Sequence, residues 1–291
     1  MRQNLNVTNI LLAFVLGVFA ILAIVPFYQT LVVSLSTLGD KGSGQLFLWP
    51  RSLDFSSYRY LFSEGVVAGG MLISVIVTVA GTAVNMIVTT AGAYAISKKT
   101  LPGRNAILNG VIFTMFFSGG LIPYFLTLQN LHFQNNLLVM ILPVAVNAFN
   151  LILMKNFFST IPQALEESAK IDGANDISIL IRVVVPVSLP ILATITLFYA
   201  VDRWNEWWLA MLFINDPSYY PLQLVLRNAI TNLSSLMTSA TATQMAQGTT
   251  RIYADSVKSA IIIISALPIL IIYPFIQRFF AQGLMLGSVK G

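Results

Sequence analysis

Six apolar stretches, each long enough to cross a bilayer, constrain this chain of 291 residues more than any other feature. They cover 10–36, 66–97, 106–128, 137–158, 183–214 and 259–280, the fifth being a core from Val183 to Val201 with a continuation to Ile214. A spanning helix needs about 20 apolar residues, because the hydrocarbon layer is about 30 Å thick and each helical residue rises about 1.5 Å. With 56% hydrophobic residues and a mean hydropathy of +0.79, the chain falls outside the range of soluble domains. The expectation is an all-α integral membrane protein: six transmembrane helices and one cytoplasmic helical step at 161–182, forming a single domain over 1–291. The first run is too long for the apolar region of a cleaved signal peptide, so it is expected to stay as a span bent at Pro26.

Lysine and arginine sort by side of the membrane. The loop KKTLPGRN carries Lys98, Lys99 and Arg104; the loop after the fourth stretch carries Lys155, Lys170 and Arg182; the tail carries Arg278 and Lys290. QNLHFQNN, between the third and fourth stretches, has neither Lys nor Arg. The first loop mixes Lys41, Arg51 and Arg59 with Asp40, Asp54 and Glu64. An even number of spans then places both termini in the cytoplasm. The net charge of +5 comes from cations flanking spans, which is not a nucleic-acid footprint, so membrane lipid and no nucleic acid is expected as a partner. On the outer side, TNLSSLMTSATATQMAQGTT reads either as a tether or as a folded cap. Gly65-x-x-x-Gly69 is a weak hint of close helix packing.

Catalytic chemistry is missing. There are no cysteines and one histidine, His132, so neither a thiolate nor a multi-histidine metal site can form. No P-loop motif occurs. Serines and threonines lack an activating base. Carboxylates inside spans would mark an ion-coupled carrier, and spans one to four and six have none. Asp202, Arg203, Trp204, Asn205 and Glu206 in DRWNEWWLA read either as an aromatic belt with snorkelling charges or as a rim where a sugar enters. Asn85, Asn147 and Asn150 lie deep in apolar stretches, where they either bond between helices or line a pathway for hydroxyl-rich cargo.

One window breaks the apolar pattern: IPQALEESAKIDGANDISILIRVVVPVSLP, with Glu166, Glu167, Asp172 and Asp176. Pro162 suits a helix start, and Glu166 and Glu167 follow near the positive end of the dipole. Glu166 is placed to pair with Lys170 at i,i+4. Leu165, Ala169 and Asp172 share one side, Ala164, Ser168 and Ile171 another. Gly173 supplies a stop, and a second short helix starts at Asn175 or Asp176 and runs into a span bent by Pro186 and Pro190. Small residues (Ser168, Ala169, Gly173, Ala174) leave room for a partner. The window is either a docking step or a wet connection.

EESAKIDGA…VVVPVSLP resembles the E-A-A…D-G-A…P…P signature of permease subunits in binding-protein-dependent ABC importers. The resemblance implies that the window is a coupling helix seated in a groove of an ATPase subunit. Glu167-Ser168-Ala169 take the E-A-A positions, Gly173 is the central glycine, Glu166, Asp172 and Ala174 surround them, and Pro186 and Pro190 are the trailing prolines. RWNEWW resembles the W-N-[DE]-F stretch of carbohydrate permeases. The C-terminal end is similar to the last span and tail of the second permease of maltose-type importers, which implies that Gln282, Gly283 and Lys290 reach toward the ATPase pair. Where family tails often read F-V-K-G, Phe280-Ala281-Gln282-Gly283 lacks the lysine. YYPLQLVLRNAI and SVKSAIIIISALPIL are similar to the branch that imports oligosaccharides and polysaccharide fragments, the alginate importer among them. The resemblance thus implies a non-catalytic subunit working with a second permease, two ATPase subunits that hold ATP and Mg, an extracytoplasmic binding protein and an oligosaccharide. An ion-coupled secondary carrier is the alternative, and an assembly or sensor subunit without a pathway a third class.

Overall fold

The computed structural model describes residues 7–36, 49, 53–63, 65–238 and 254–285. Among them there is no β-strand. The long helices are α1 (Val7–Ser34), α3 (Val66–Ser97), α12 (Leu222–Thr238) and α13 (Ala254–Met285), with the short α2 (Ser56–Ser63) before α3. The chain divides into two compact units, Met1–Val67 with Leu226–Pro268 and Ala68–Val225 with Ile269–Gly291. In the first, α1 runs through Pro26 as one helix and leaves its apolar side chains from Leu11 to Leu31 exposed, as a helix facing lipid or another chain would. Its end is tied down by Ser34 Oγ to Tyr58 OH (2.8 Å) and by the Ser256 hydroxyl donating to the Ser36 carbonyl (3.2 Å).

The second unit departs from the expected run of straight spans. The stretch 106–128 is two helices, α4 (Arg104–Phe116) and α5 (Leu121–Asn130), bent by 117°. Ser118-Gly119-Gly120 makes the turn: Gly120 has φ +85°, a conformation other side chains resist. The stretch 137–158 is a 3₁₀ turn (Leu137–Met140), an irregular segment around Pro143, and α6 (Ala148–Phe158). Proline removes a donor and blocks the helix, and Asn147 restarts it by accepting from the Asn150 N–H (3.2 Å). The stretch 183–214 is also broken. A π-helical turn (Leu180–Val184) and α9 (Val185–Val187) meet α10 (Leu189–Trp204) at Ser188, where the path turns by 90°. Prolines 186 and 190 flank that turn. A further break at Asn205–Trp207 precedes α11 (Trp208–Phe213).

Irregular backbone inside a membrane protein survives only where protein groups satisfy it. Here α3 supplies many of them along one stripe at helical spacing. The Ser74 hydroxyl accepts from the Leu222 N–H (2.8 Å). A side chain at Gly81 would meet Arg203 Cδ at 2.9 Å, so glycine is what lets that arginine lie against α3. Asn85 Nδ2 donates to the Val144 and Ala145 carbonyls (2.7 and 2.9 Å) of the irregular segment. Thr89 Oγ1 bonds Tyr199 OH on α10 (2.7 Å), which also accepts from the Asn147 N–H (3.0 Å). By contrast, a side chain at Gly65 or Gly69 would touch nothing, so the GxxxG hint marks no contact.

Two apolar clusters flank this polar middle. One joins Ile73 and Val77 of α3 to Met140, Leu209 and Phe213; the other joins Ala93 and Tyr94 to Met154, Phe158, Ile179 and Ile195. Asn85→Leu keeps the volume but removes both donors, leaving two buried carbonyls unpaired. The expected outcome is a loss of about 1–3 kcal/mol, read as a lower thermal midpoint in detergent. Ile87→Ala, two residues away and 70% exposed, should change that midpoint little.

Candidate coupling helix and transport cavity

The acid-rich window folds as an ordered step. It begins with α7 (Gln163–Ile171), preceded by Pro162. Gly173, at φ +80°, ends it in a Schellman arrangement: its N–H donates to Lys170 O (3.0 Å), and the Ala174 N–H to Ala169 O (2.9 Å). Asn175 then caps α8 (Asp176–Ile179) by accepting from the Ser178 N–H (2.8 Å). With no slack residues between these motifs, α7 is held at a fixed angle to the span that follows.

The charges are arranged differently from the i,i+4 expectation. Glu166 pairs with Lys98, just past the end of α3, and not with Lys170; the Lys98 ammonium also lies 3.9 Å from the centre of the Tyr94 ring. Lys170 instead faces Asp176 (3.4 Å), because the Gly173 turn brings α8 back beside it. The small residues also divide. Ala169 and Ala174 pack inward on the Phe158–Ile179 cluster, which corrects the expectation that all four leave room for a partner. The outer face carries Ala164, Leu165, Glu167, Ser168, Ile171 and Asp172, with Ile171 87% exposed. Glu167 and Asp172 have no ion-pair partner among the described residues.

The expected pathway residues separate into two groups. Asn85, Arg203 and Trp204 are buried, as Asn150 is, but unlike Asn150 they line neither of the open cavities described below. Arg203 donates through Nη1 to the Met140 carbonyl (2.7 Å) and lies 3.9 Å from Glu206; that bond is a reason to bury it, since the 3₁₀ turn leaves Met140 O without a helical partner. Glu206 caps α11, accepting from the Leu209 N–H (2.9 Å). Arg203 and Trp204 thus face protein in this structure. Asn205 stays exposed, its amide bonded to Val201 O (2.9 Å) and to Gln223 (3.3 Å).

Asn147 and Asn150 do come together, on the wall of an open cavity of about 470 Å³. Phe149, Phe198 and Asp202 share that wall. Asp202, which the sequence reads with its neighbours as belt or sugar rim, is exposed here while the adjacent Arg203 is buried, because consecutive residues on α10 point about 100° apart. In the tail, Gln282 and Gly283 fall where only the backbone of α13 is described, and Lys290 lies outside the described residues. Among the described residues no group of acids and histidine is placed to hold a metal.

Comparison with known proteins places this arrangement. Residues 102–286 match the family described as binding-protein-dependent transport system inner membrane component. The chain is 42% identical over 273 residues to the polygalacturonan/rhamnogalacturonan transport system permease protein YtcP of Bacillus subtilis (strain 168), covering 94% of each chain. It is 43% identical to Protein LplC of the same organism, covering 98% of this chain and 95% of that one. Among solved structures it is similar to a bacterial ABC transporter involved in the import of the acidic polysaccharide alginate. That match has a TM-score of 0.83 and 34% identity, over 94% of this chain and 96% of the other. These matches set aside the ion-coupled carrier: the chain belongs to the binding-protein-dependent transport system inner membrane component family and is an ABC importer permease.

Proposed function

We propose that this permease moves an oligosaccharide or polysaccharide fragment from an extracytoplasmic binding protein into the cytoplasm. It does so as one of two permeases above two ATPase subunits that bind ATP and Mg. The observation that carries this reading is α7: a short helix locked at both ends, joined to α3 through Glu166–Lys98, with an exposed face of mixed apolar and acidic residues. Such a helix moves as a rigid body with its span, so closure of an ATPase pair would be passed on without loss in a flexible loop. Glu167, Ser168, Ile171 and Asp172 form the surface offered to the ATPase, and Gly173 sets its angle. This arrangement goes with both termini in the cytoplasm, and it makes the chain itself non-catalytic.

The cargo class rests on the similar proteins, one described as a polygalacturonan/rhamnogalacturonan transport system permease and one as involved in the import of alginate. The cavity wall is compatible with a glycan. Amides at Asn147 and Asn150 suit sugar hydroxyls, and Phe149 and Phe198 suit the apolar faces of pyranose rings. Asp202 would repel a uronate carboxylate, so a hydroxyl edge of the sugar faces this wall.

Two outcomes are expected in the complex reconstituted with its binding protein. Glu167→Lys reverses the charge of the docking face and should lower cargo uptake by about tenfold or more, on the scale of losing one charged contact at an interface. Uptake at the wild-type level would refute the role. Asn150→Ala should raise the cargo concentration needed to stimulate ATP hydrolysis, with little change in hydrolysis without cargo. Loss of assembly instead would make Asn150 a packing residue.

A further inference from the structure

A second cavity, about 370 Å³ in volume, lies beside α7 and has a charge that cargo transport does not explain. Five cationic side chains line it: Lys98, Lys99, Arg104, Lys155 and Lys170. Two carboxylates oppose them, Glu166 and Glu167. Glu166 is committed to Lys98, and Lys170 to Asp176. Lys99, Arg104 and Lys155 have no carboxylate partner among the described residues. Arg104 donates from Nε to the Ile96 carbonyl (2.8 Å), which fixes its guanidinium on the wall and leaves the terminal nitrogens for a ligand. Glu167 is the remaining carboxylate of the cavity, so three cations face one acid and the hollow keeps a net positive charge that a further anion would offset.

The helix that starts on this wall adds a second argument. Over its 13 residues, α4 has Gly103 as N-cap with no side chain capping its first amides, so the positive end of its dipole is uncovered. From Arg104, α4 continues as a rod with no buried residue; Ile107, Ile112, Phe113 and Phe116 are all exposed. A basic hollow therefore lies at one end of an exposed apolar helix surface.

We propose that this cavity binds the phosphate of an anionic phospholipid, whose acyl chains run along α4. Lys99, Arg104 and Lys155 hold the phosphate, as basic hollows at the cytoplasmic ends of spans hold acidic headgroups. The site rests on the membrane placement of α3, α4 and α6; Glu166, Glu167 and Lys170 of α7 line the same cavity, so an ATPase docked at α7 would border it. A soluble phosphate shares the headgroup chemistry but would leave the apolar face of α4 unused.

The test is native mass spectrometry of the full-length chain, purified with whatever partners accompany it and exchanged into phosphatidylglycerol, phosphatidylcholine or inorganic phosphate. Selective retention of phosphatidylglycerol is expected. Lys99→Gln combined with Lys155→Gln should weaken that retention by about tenfold or more, at roughly fivefold per basic side chain near a membrane surface. Lys99→Arg with Lys155→Arg, which keeps the charge and controls for folding, should retain the lipid. Equal retention of both lipids, or no effect of the glutamine pair, would overturn the proposal. Binding of inorganic phosphate as tight as that of phosphatidylglycerol would overturn the lipid as its source. Loss of the ATPase partner in the glutamine pair with lipid retention unchanged would assign the cavity to that partner. If no ATPase accompanies the wild-type chain, the coupling role of α7 fails while the lipid measurement still stands.

Discussion

Three backbone carbonyls, at Met140, Val144 and Ala145, govern how the second unit is put together. They belong to a stretch where Pro143 has ended regular helix, so no amide of their own segment bonds them as a helix would. Arg203 takes the first, and the two N–H groups of Asn85 take the others. Both donors need room and burial. Gly81 gives Arg203 its place against α3, and the apolar clusters on either side exclude competing water. Straightening the fourth span would leave Arg203 and Asn85 as buried donors without acceptors, a change costing several kcal/mol.

This makes α3 the member that relates the two ends of the unit. At one end it packs on α11 and the 3₁₀ turn; in the middle, Thr89 reaches Tyr199, which also bonds the start of α6 beside the open cavity. At the other end Lys98 holds Glu166 on α7. One continuous helix thus touches both the cavity-bearing elements and the docking step. Under the proposed function, a displacement at α7 would be carried along that helix to the polar middle. Contiguity alone does not measure coupling; a Lys98→Glu, Glu166→Lys swap read by transport would.

Much of this was legible in the sequence. The extent of α3 and the presence of the outer helices follow from apolar run length. The α7 step with its glycine stop and Asn175 cap follows from capping chemistry, where a few residue types have strong local preferences. What was misread lies inside the apolar runs. Hydropathy cannot tell a straight span from one broken at Ser118-Gly119-Gly120 or Pro143, since both bury the same side chains; the turn residues were the available signal. Arg203 looked like a surface charge because its neighbours are tryptophans, and only the unpaired carbonyl of Met140, invisible in one dimension, explains its burial. Asp202 carries the same two readings as Arg203 in the sequence, and only the helix geometry of α10, which faces adjacent residues different ways, separates the two. The pairing of Glu166 with Lys98 joins positions 68 apart, and a local i,i+4 rule has no means of finding it.

In the proposed function, α7 is the surface that an ATPase grips. The chain has no cysteine, so Ser168→Cys places a single thiol on the exposed face of that helix. Photo-crosslinking from that thiol in native membranes tests the claim most directly. A crosslink to a nucleotide-hydrolysing subunit, changed in yield by ATP and absent from a matching thiol at Ile87 on the exposed face of α3, is the predicted result. A transport-competent Ser168→Cys chain that never crosslinks to such a subunit would contradict it.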